Sequence, residues 1–264
     1  VLLEALTVCV NYGDFLAVAA QHNRALFDRW LVITTPEDEE TREVCRQYNL
    51  DTLITREGIV PGSEFNRGLL IERGLQQLST NSWRWNLDSD VILPSHTRQA
   101  LQLAQLDPEA IYGFDRIMVR SWNDWVRLRD SGYLSQQFRS TYEVHFPPGF
   151  DIGLRWVVPH SGWVPTGFSQ LWHASSEHWR GTRVKSYPSN QNSSSHTDVR
   201  HSLQWDRRQR HLLPEIITIH LESEPCPFGT NWQQRKSQRF GPPALQAPST
   251  DGPSAPPGNS PVSM

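Results

Sequence analysis

Short apolar runs alternate with longer segments of helical period through residues 1–95. Leu6-Thr7-Val8-Cys9-Val10 reads as a β-strand that ends at Asn11-Tyr12-Gly13, after which Asp14 can cap a helix carrying Leu16, Ala19, Ala20 and Phe27. Leu31-Val32-Ile33-Thr34 predicts a second strand. It runs into Thr35-Pro36-Glu37-Asp38, which combines an N-cap residue, a proline at the first helical position and acids in the first turn of a helix reaching about Tyr48. A third strand is expected around Thr52-Leu53-Ile54-Thr55. Residues 64–78 form an amphipathic helix with Phe65, Leu69, Ile71, Leu75 and Leu78 on its apolar face, and Trp83-Arg84-Trp85-Asn86-Leu87 is the fourth strand.

Strands separated by helices imply parallel βαβ units and an open α/β sheet covered on both faces. Such sheets bind ligands beyond the carboxyl ends of their strands. Asp88-Ser89-Asp90 falls at one of those ends. The pattern is less regular from residue 96 to residue 240, and no internal repeat is visible. The polar tract Ser189-Asn190-Gln191-Asn192-Ser193-Ser194-Ser195 suggests a mobile surface loop, with a lid as the functional alternative. From Gly241 to Met264, Pro, Gly and Ser fill 14 of 24 positions, too little apolar surface to offset ordering entropy, so residues 241–264 are expected to be a disordered tail.

Charge and composition narrow the classes. With 25 Lys and Arg against 28 Asp and Glu, the formal net charge of −3 offers no footprint for nucleic acid or anionic lipid. No apolar run approaches the roughly 18 residues of a spanning helix, and the first residues lack the pattern of a signal peptide. The expectation is a cytoplasmic protein without a membrane span. Three scattered cysteines, Cys9, Cys45 and Cys226, argue against a disulfide framework or a zinc ribbon. Tryptophan is in excess: of 11, only Trp30, Trp83 and Trp85 precede Asp88, leaving 8 in the later part. An indole face suits sugar rings as well as cores.

Two carboxylates one residue apart in a strand-to-loop turn can face one divalent cation, and hard oxygen ligands suit Mg²⁺ or Mn²⁺. As a bare pattern Asp-x-Asp is weak, since aspartates also serve turns by hydrogen bonding. Its place between an apolar strand and Val91-Ile92-Leu93-Pro94 strengthens it. The order Val8-Cys9-Val10-Asn11-Tyr12, Val32-Ile33-Thr34-Thr35-Pro36-Glu37-Asp38, Phe65-Asn66-Arg67-Gly68 and Trp85-Asn86-Leu87-Asp88-Ser89-Asp90-Val91-Ile92-Leu93-Pro94 resembles the nucleotide-sugar half of a GT-A glycosyltransferase. The likeness is to family-2-type and galactosyltransferase-like enzymes of bacterial or phage type. Pro165-Thr166-Gly167-Phe168-Ser169-Gln170-Leu171 resembles the Gly-aromatic acceptor segment of such enzymes. Thr197-Asp198-Val199, Trp205-Asp206 and His220-Leu221-Glu222 resemble their closing portion.

The resemblance implies a GT-A fold, a Rossmann-like, mostly parallel open sheet with helices on both faces. Residues 1–95 would hold the donor, and residues 96–240 would form a mixed acceptor-binding and closing half. It implies a divalent metal, Mn²⁺ or Mg²⁺, on Asp90 with Asp88, or with Asp88 turned to the ribose; a late histidine, His220, would complete the site or stand as an ordinary strand-end histidine. His196, His201, His173, His178 and His211 are weaker candidates. Asp198 matches the acid that would take the proton of an acceptor hydroxyl, although His196-Thr197 replaces the usual preceding acid, and Asp198 would equally serve as a helix cap. Tyr12 would stack on a nucleobase or anchor its loop; Thr35 and Asp38 would touch base or ribose or form a capping pair. Ser89 lies in the same donor turn. Arg67 would neutralise phosphate or stand exposed on its helix. Trp163, Gly167, Phe168 and Trp172 would form an acceptor platform, against an equal expectation of core packing. Gly229-Thr230-Asn231-Trp232-Gln233-Gln234-Arg235-Lys236 would fold over the phosphates or form a surface loop. Asp115-Arg116 and Trp122-Asn123-Asp124-Trp125 carry no deducible role.

The function these residues imply is transfer of a sugar, with inversion, from a nucleoside-diphosphate sugar, UDP-linked by preference, to the hydroxyl of a glycan or other acceptor. A GT-A-like nucleotidyltransferase fits less well, because Asn11-Tyr12-Gly13-Asp14 is not the long Gly-rich basic loop that grips a triphosphate. A non-catalytic carbohydrate-binding protein on the same fold would bind sugar regardless of EDTA. A zinc hydrolase has no His-Glu-x-x-His to support it.

Overall fold

The computed structural model describes residues 1–59, 66–135, 148–189, 194–224, 235 and 237–243. Its sheets comprise β1 (Leu3–Val8), β2 (Arg29–Thr34), β3 (Asp51–Ile54), β4 (Trp83–Leu87), β5 (Val91–Ile92), β6 (Ile111–Val119), β7 (Asp151–Ile152), β8 (Val157–Val158), β9 (Gly162–Trp163), β10 (Ser169–His173), β11 (His178–Trp179), β12 (Thr182–Arg183) and β13 (Arg210–Leu221). The helices are α1 (Gly13–Asn23), α2 (Glu39–Gln47), α3 (Arg67–Leu75), α4 (Thr97–Leu103), α5 (Trp122–Asp130) and α6 (Ser194–Ser202). Among the described residues no helix is long and apolar enough to cross a membrane.

The α/β class expected from the alternating pattern is the one found. A sheet of nine strands runs β3-β2-β1-β4-β10-β6-β13-β5, with β7 on the outside of β6. Its first four strands are parallel. Then β10 enters antiparallel between β4 and β6, and β13 pairs parallel with β6. The carboxyl ends of β4, β6 and β13 therefore share one edge. The short β5 crosses back antiparallel onto β13, setting Val91 opposite His220, and so carries the Asp88-Ser89-Asp90 turn to the end of β13.

The central strands are packed on both faces, as near-continuous apolar runs such as Leu31-Val32-Ile33 require. Ala5, Trp30, Val32, Trp85 and Phe114 pack with Phe15, Ala19, Leu101 and Trp125 of α1, α4 and α5. On the opposite face Leu6, Leu31 and Ile33 meet Leu70, Ile71 and Leu75 of α3, with Trp172, Tyr187 and Trp205. The indole of Trp85 stacks on Phe114 at 4.7 Å and donates to Ser169 Oγ at 2.7 Å.

Several boundaries depart from the sequence pattern for local reasons. β1 starts earlier than Leu6 because the charged Glu4 is buried and satisfied: its carboxylate accepts from Ser79 N and Ser82 Oγ, both at 2.7 Å. It ends earlier because Asn11 takes a left-handed φ of 63°. α2 is capped by Asp38, not by Thr35. Asp38 Oδ1 accepts from Thr41 N at 3.1 Å, while Pro36 and Glu37 stay in a turn ahead of the helix. Asp14 does not cap α1: it lies in the first turn, where its carboxylate binds Arg235 through two 2.6 Å contacts and accepts from Phe240 N at 2.5 Å. α3 opens at Arg67 on an Asn66 cap, whose Oδ1 accepts from Leu69 N at 2.9 Å. The polar tract at 190–193, most of the 229–236 run and most of the tail lie outside the described residues.

Candidate active site

The carboxyl end of β4 presents its side chains to two faces. Trp83, Trp85 and Leu87 enter the core, so Arg84 and Asn86, and Asp88 beyond them, point the other way. Asn86 Nδ2 donates to Gly167 O and to Tyr187 Oη, both at 3.3 Å. Asp88 N–H donates to Phe168 O at 2.9 Å, tying the Asp-x-Asp turn to the Gly167-Phe168 segment. Asp90 O accepts from Leu221 N at 2.8 Å and ties the same turn to β13. Three stretches distant in sequence thus meet at one point.

Arg67, the first residue of α3, spans this point. Its Nη2 pairs with Asp88 Oδ1 and donates to Gly167 O at 3.2 Å, and its Nη1 lies 3.4 Å from Asp198 Oδ2. The exposed outcome is excluded, since only 12% of its side chain is accessible. Asp198 is not a helix cap: α6 begins at Ser194, four residues before it, and Trp205 lies beyond the end of the helix. Asp198 is buried under Gly167, and its Oδ1 accepts from the hydroxyl of the buried Tyr187. Burial raises the Asp198 pKa, opposed by the Arg67 charge and the Tyr187 hydrogen bond. Burial and the neighbouring Asp198 push Tyr187 well above the usual phenol range, so it stays protonated and acts as a donor.

The second Asp of the turn faces His220. Asp90 Oδ1 is buried without a hydrogen bond among the described residues and lies 3.6 Å from His220 Nε2. On the other side of the ring, His220 Nδ1 is 3.6 Å from Glu222 Oε1. Two ligands of one small divalent cation stand about 3 Å apart, given metal–ligand distances of about 2.1 Å. Asp90 and His220 therefore fit a cation between them with little adjustment. Asp88 is committed to Arg67 instead. Among the described residues no group of three His, Cys, Asp or Glu side chains forms a ready cage, which leaves diphosphate and water oxygens as further ligands, the usual mode for Mg²⁺.

The other predicted positions divide. Asp38 is buried and its oxygens are taken: Oδ2 accepts from Asn11 N at 2.6 Å and from Thr34 Oγ1 at 3.2 Å, besides the α2 cap. Thr35 is buried beside it. Tyr12 lies against the α1 core with the Arg235 guanidinium 4.9 Å from its ring centre, and Ser89 is half-buried in the Asp-x-Asp turn. Phe168 and Trp163 border a small cleft of about 10 Å³ together with Arg116, Arg155 and Trp156. Trp172 does not. It is wholly buried, its indole N–H donating to Glu177 Oε1 at 2.7 Å, and Glu177 also receives Arg84 at 2.6 Å and Arg183 at 2.8 Å. A tryptophan with no exposed face cannot be a platform, so Trp172 is corrected to core. Of the other late tryptophans, Trp125 and Trp205 are core and Trp156 is 57% exposed. His201 is buried at the centre of an aromatic cluster with Trp172, Tyr187 and Trp205.

Tyr187, Asn86 and Glu222 escaped the sequence pattern. Asn86 and Glu222 each stand two residues from a residue singled out, Asp88 and His220, and so share its strand face. Tyr187 carries no such signal: its role depends on the chain crossing under α3, where a Cβ on Gly68 would lie 1.9 Å from Pro188 O.

No protein-family model matches the chain, and no curated protein matches it. Among solved structures it is similar to a mannosyltransferase from Pyrobaculum calidifontis in complex with GDP-mannose and Mn²⁺, at 11% identity over 83% of this chain and 56% of that one, with a TM-score of 0.48. It is also similar to mannosyl-3-phosphoglycerate synthase from Rubrobacter xylanophilus, at 16% identity over 45% of this chain and 41% of that one, TM-score 0.35. Glucosyl-3-phosphoglycerate synthase from Mycobacterium tuberculosis gives 15% identity, 43% of each chain and a TM-score of 0.34. The chain spans little more than half of the first structure and under half of the others.

Proposed function

We propose that the chain is a metal-dependent glycosyltransferase moving a sugar from a nucleoside-diphosphate sugar to a hydroxyl acceptor, with inversion and with Asp198 as base. The observation that carries this reading is the meeting of Asp90 and His220 with Arg67, Asp88 and Asp198 at the carboxyl end of β4. Departure of a diphosphate needs positive charge, and attack by a hydroxyl needs a base and alignment. A divalent cation held by Asp90 and His220 would neutralise the departing diphosphate. Arg67 adds a fixed cation to the same edge. Arg67 and the Tyr187 hydrogen bond favour the ionised form of Asp198, while burial, the larger effect, raises its affinity for a proton. Gly167 contributes bare backbone where a side chain would bar the carboxylate.

The donor side is the ends of β1 and β2, with Tyr12 and the Thr35–Asp38 turn bordering a nucleoside and Ser89 in the turn above. Phe168 and Trp163 would serve the acceptor. A panel of nucleoside-diphosphate sugars, titrated with and without Mn²⁺ and followed by thermal shift, tests this reading, since a true donor stabilises only the folded state that binds it. Stabilisation by one donor that requires Mn²⁺, with release of the diphosphate on adding acceptor, is the expected result. Sugar binding indifferent to EDTA, with no nucleotide sugar consumed, would establish the carbohydrate-binding alternative.

A further inference from the structure

Adjacent residues of β6, Asp115 and Arg116, have opposite fates. Asp115 is buried and gripped through both oxygens by Arg155, at 2.7 and 2.6 Å. Arg116 has no counterpart. Among the described residues its side chain makes no hydrogen bond or ion pair, and its Nε is buried without an acceptor. Desolvation lowers its pKa despite the fields of Glu222 and Asp90. A partly buried guanidinium with no hydrogen-bonded oxyanion is costly, and the fields of Glu222 and Asp90 offset that cost only in part.

The group is also held in one orientation. Phe168 lies on one side, its ring centre 4.4 Å from Arg116 Cζ. Gly153 lies against the stem and Nε, where an added Cβ would stand 2.6 Å from Nε, and its N–H donates to Arg116 O at 2.8 Å. Of its nitrogens only Nε is sealed off without a partner, and Arg116 lines the cleft that Trp156 and Trp163 also line. A planar guanidinium stacked on an aromatic ring, with no hydrogen bond of its own among the described residues, can bind a carboxylate or phosphate through two parallel hydrogen bonds. The Phe168 ring that stacks on Arg116 also lies 6.1 Å from the His220 ring, so the guanidinium stands beside the candidate metal position.

We infer that this cleft is an oxyanion site in which Arg116 holds the carboxylate or phosphate of an acidic acceptor. The word acceptor rests on the glycosyl-transfer reading; the anion site rests on the geometry of Arg116 alone. The same chemistry could come from the donor diphosphate, and the test separates the two sources. Wild type, Arg116→Gln and Arg116→Lys are titrated with inorganic phosphate against chloride at matched ionic strength, and separately with UDP and GDP in the presence of Mn²⁺. Phosphate should stabilise the wild type beyond chloride, and its affinity should fall by about tenfold or more in Arg116→Gln and by less in Arg116→Lys. Nucleotide affinity should stay within about twofold, which also shows that the variants are folded. A phosphate response that is absent, or equal in wild type and Arg116→Gln, overturns the site. Parallel loss of nucleotide affinity overturns the acceptor assignment in favour of the diphosphate. Arg116-dependent phosphate binding in a protein that binds no nucleotide sugar leaves the anion site standing and removes glycosyl transfer.

Discussion

A Cβ placed on Gly167 would lie 1.7 Å from Asp198 Oδ2 and 1.8 Å from its Cγ. The two residues are 31 positions apart, and the absent side chain of one is the space that holds the carboxylate of the other. Gly167 is thus a steric requirement of the candidate base, independent of any special backbone angle.

Gly167→Ala should therefore displace Asp198 from Tyr187 and Arg67. Misplacement of a reacting group by about 1 Å costs roughly 10²-fold in rate, and overpacking costs about 1–3 kcal/mol of stability. Turnover of the donor found by the thermal-shift panel, measured beside the melting temperature, checks this; a variant as active as wild type would separate Asp198 from the chemistry.

Tyr187→Phe removes a donor that favours the ionised form of Asp198. Asp198 must be deprotonated to act as base, so activity should fall on the acid side, and in the variant, without the Tyr187 hydrogen bond that favours the carboxylate, that limb should move to higher pH. At alkaline pH the variant should recover most of its rate. A uniform loss at every pH would mean that Tyr187 only supports the fold.

Asp90→Asn and His220→Ala each remove one of the two side chains that fit a cation. Mn²⁺-dependent stabilisation by nucleoside diphosphate should weaken by about 10²-fold or more in either, and EDTA should reduce the wild type to the same level. Asp88→Asn should behave differently. Its partner is Arg67, so the apparent Mn²⁺ affinity should change little while turnover falls; equal metal sensitivity at both positions would return Asp88 to the metal.

His201 is wholly buried, and burial, with the Arg183 and Lys185 charges, lowers its pKa from 6.5 to about 3. The unfolded chain binds the proton at higher pH than the folded one. The contribution is therefore fully present above the unfolded value and is lost as pH falls from about 6.5 toward about 3. The loss is on the order of a few kcal/mol. Chemical denaturation across that window should show the acid slope in wild type and a shallower one in His201→Gln; parallel slopes would refute the assignment.

The strands of the first half were legible because β2 is a near-continuous apolar run and β4 alternates Trp83, Trp85 and Leu87 with polar residues, and β2, β3 and β4 stand where Leu31–Thr34, Thr52–Thr55 and Trp83–Leu87 placed them, within a residue or two. Caps were less legible. Thr35 has the chemistry of a cap as much as Asp38 has, and the choice fell to Asp38 because its second oxygen also binds Asn11 N and Thr34 Oγ1. Trp172 and Trp163 are alike in sequence, both bordering Gly167. One is buried on Glu177 and the other borders the cleft, a difference set by which face of β10 or β9 each occupies.

By itself, the sequence determined the alternating α/β plan, the place of Asp88 and Asp90 at a strand end, and the burial of the apolar faces, since all three follow from local periodicity. Tertiary structure decided which acid faces what. Asp88 went to Arg67, Asp90 to His220 and Asp198 to Tyr187 beneath Gly167. These pairings depend on β10 entering antiparallel beside β4, on β5 crossing to β13 and on α6 bringing Asp198 under Gly167. Contacts between residues 11 to 130 positions apart are fixed by chain topology, and no local pattern of polar and apolar residues encodes them.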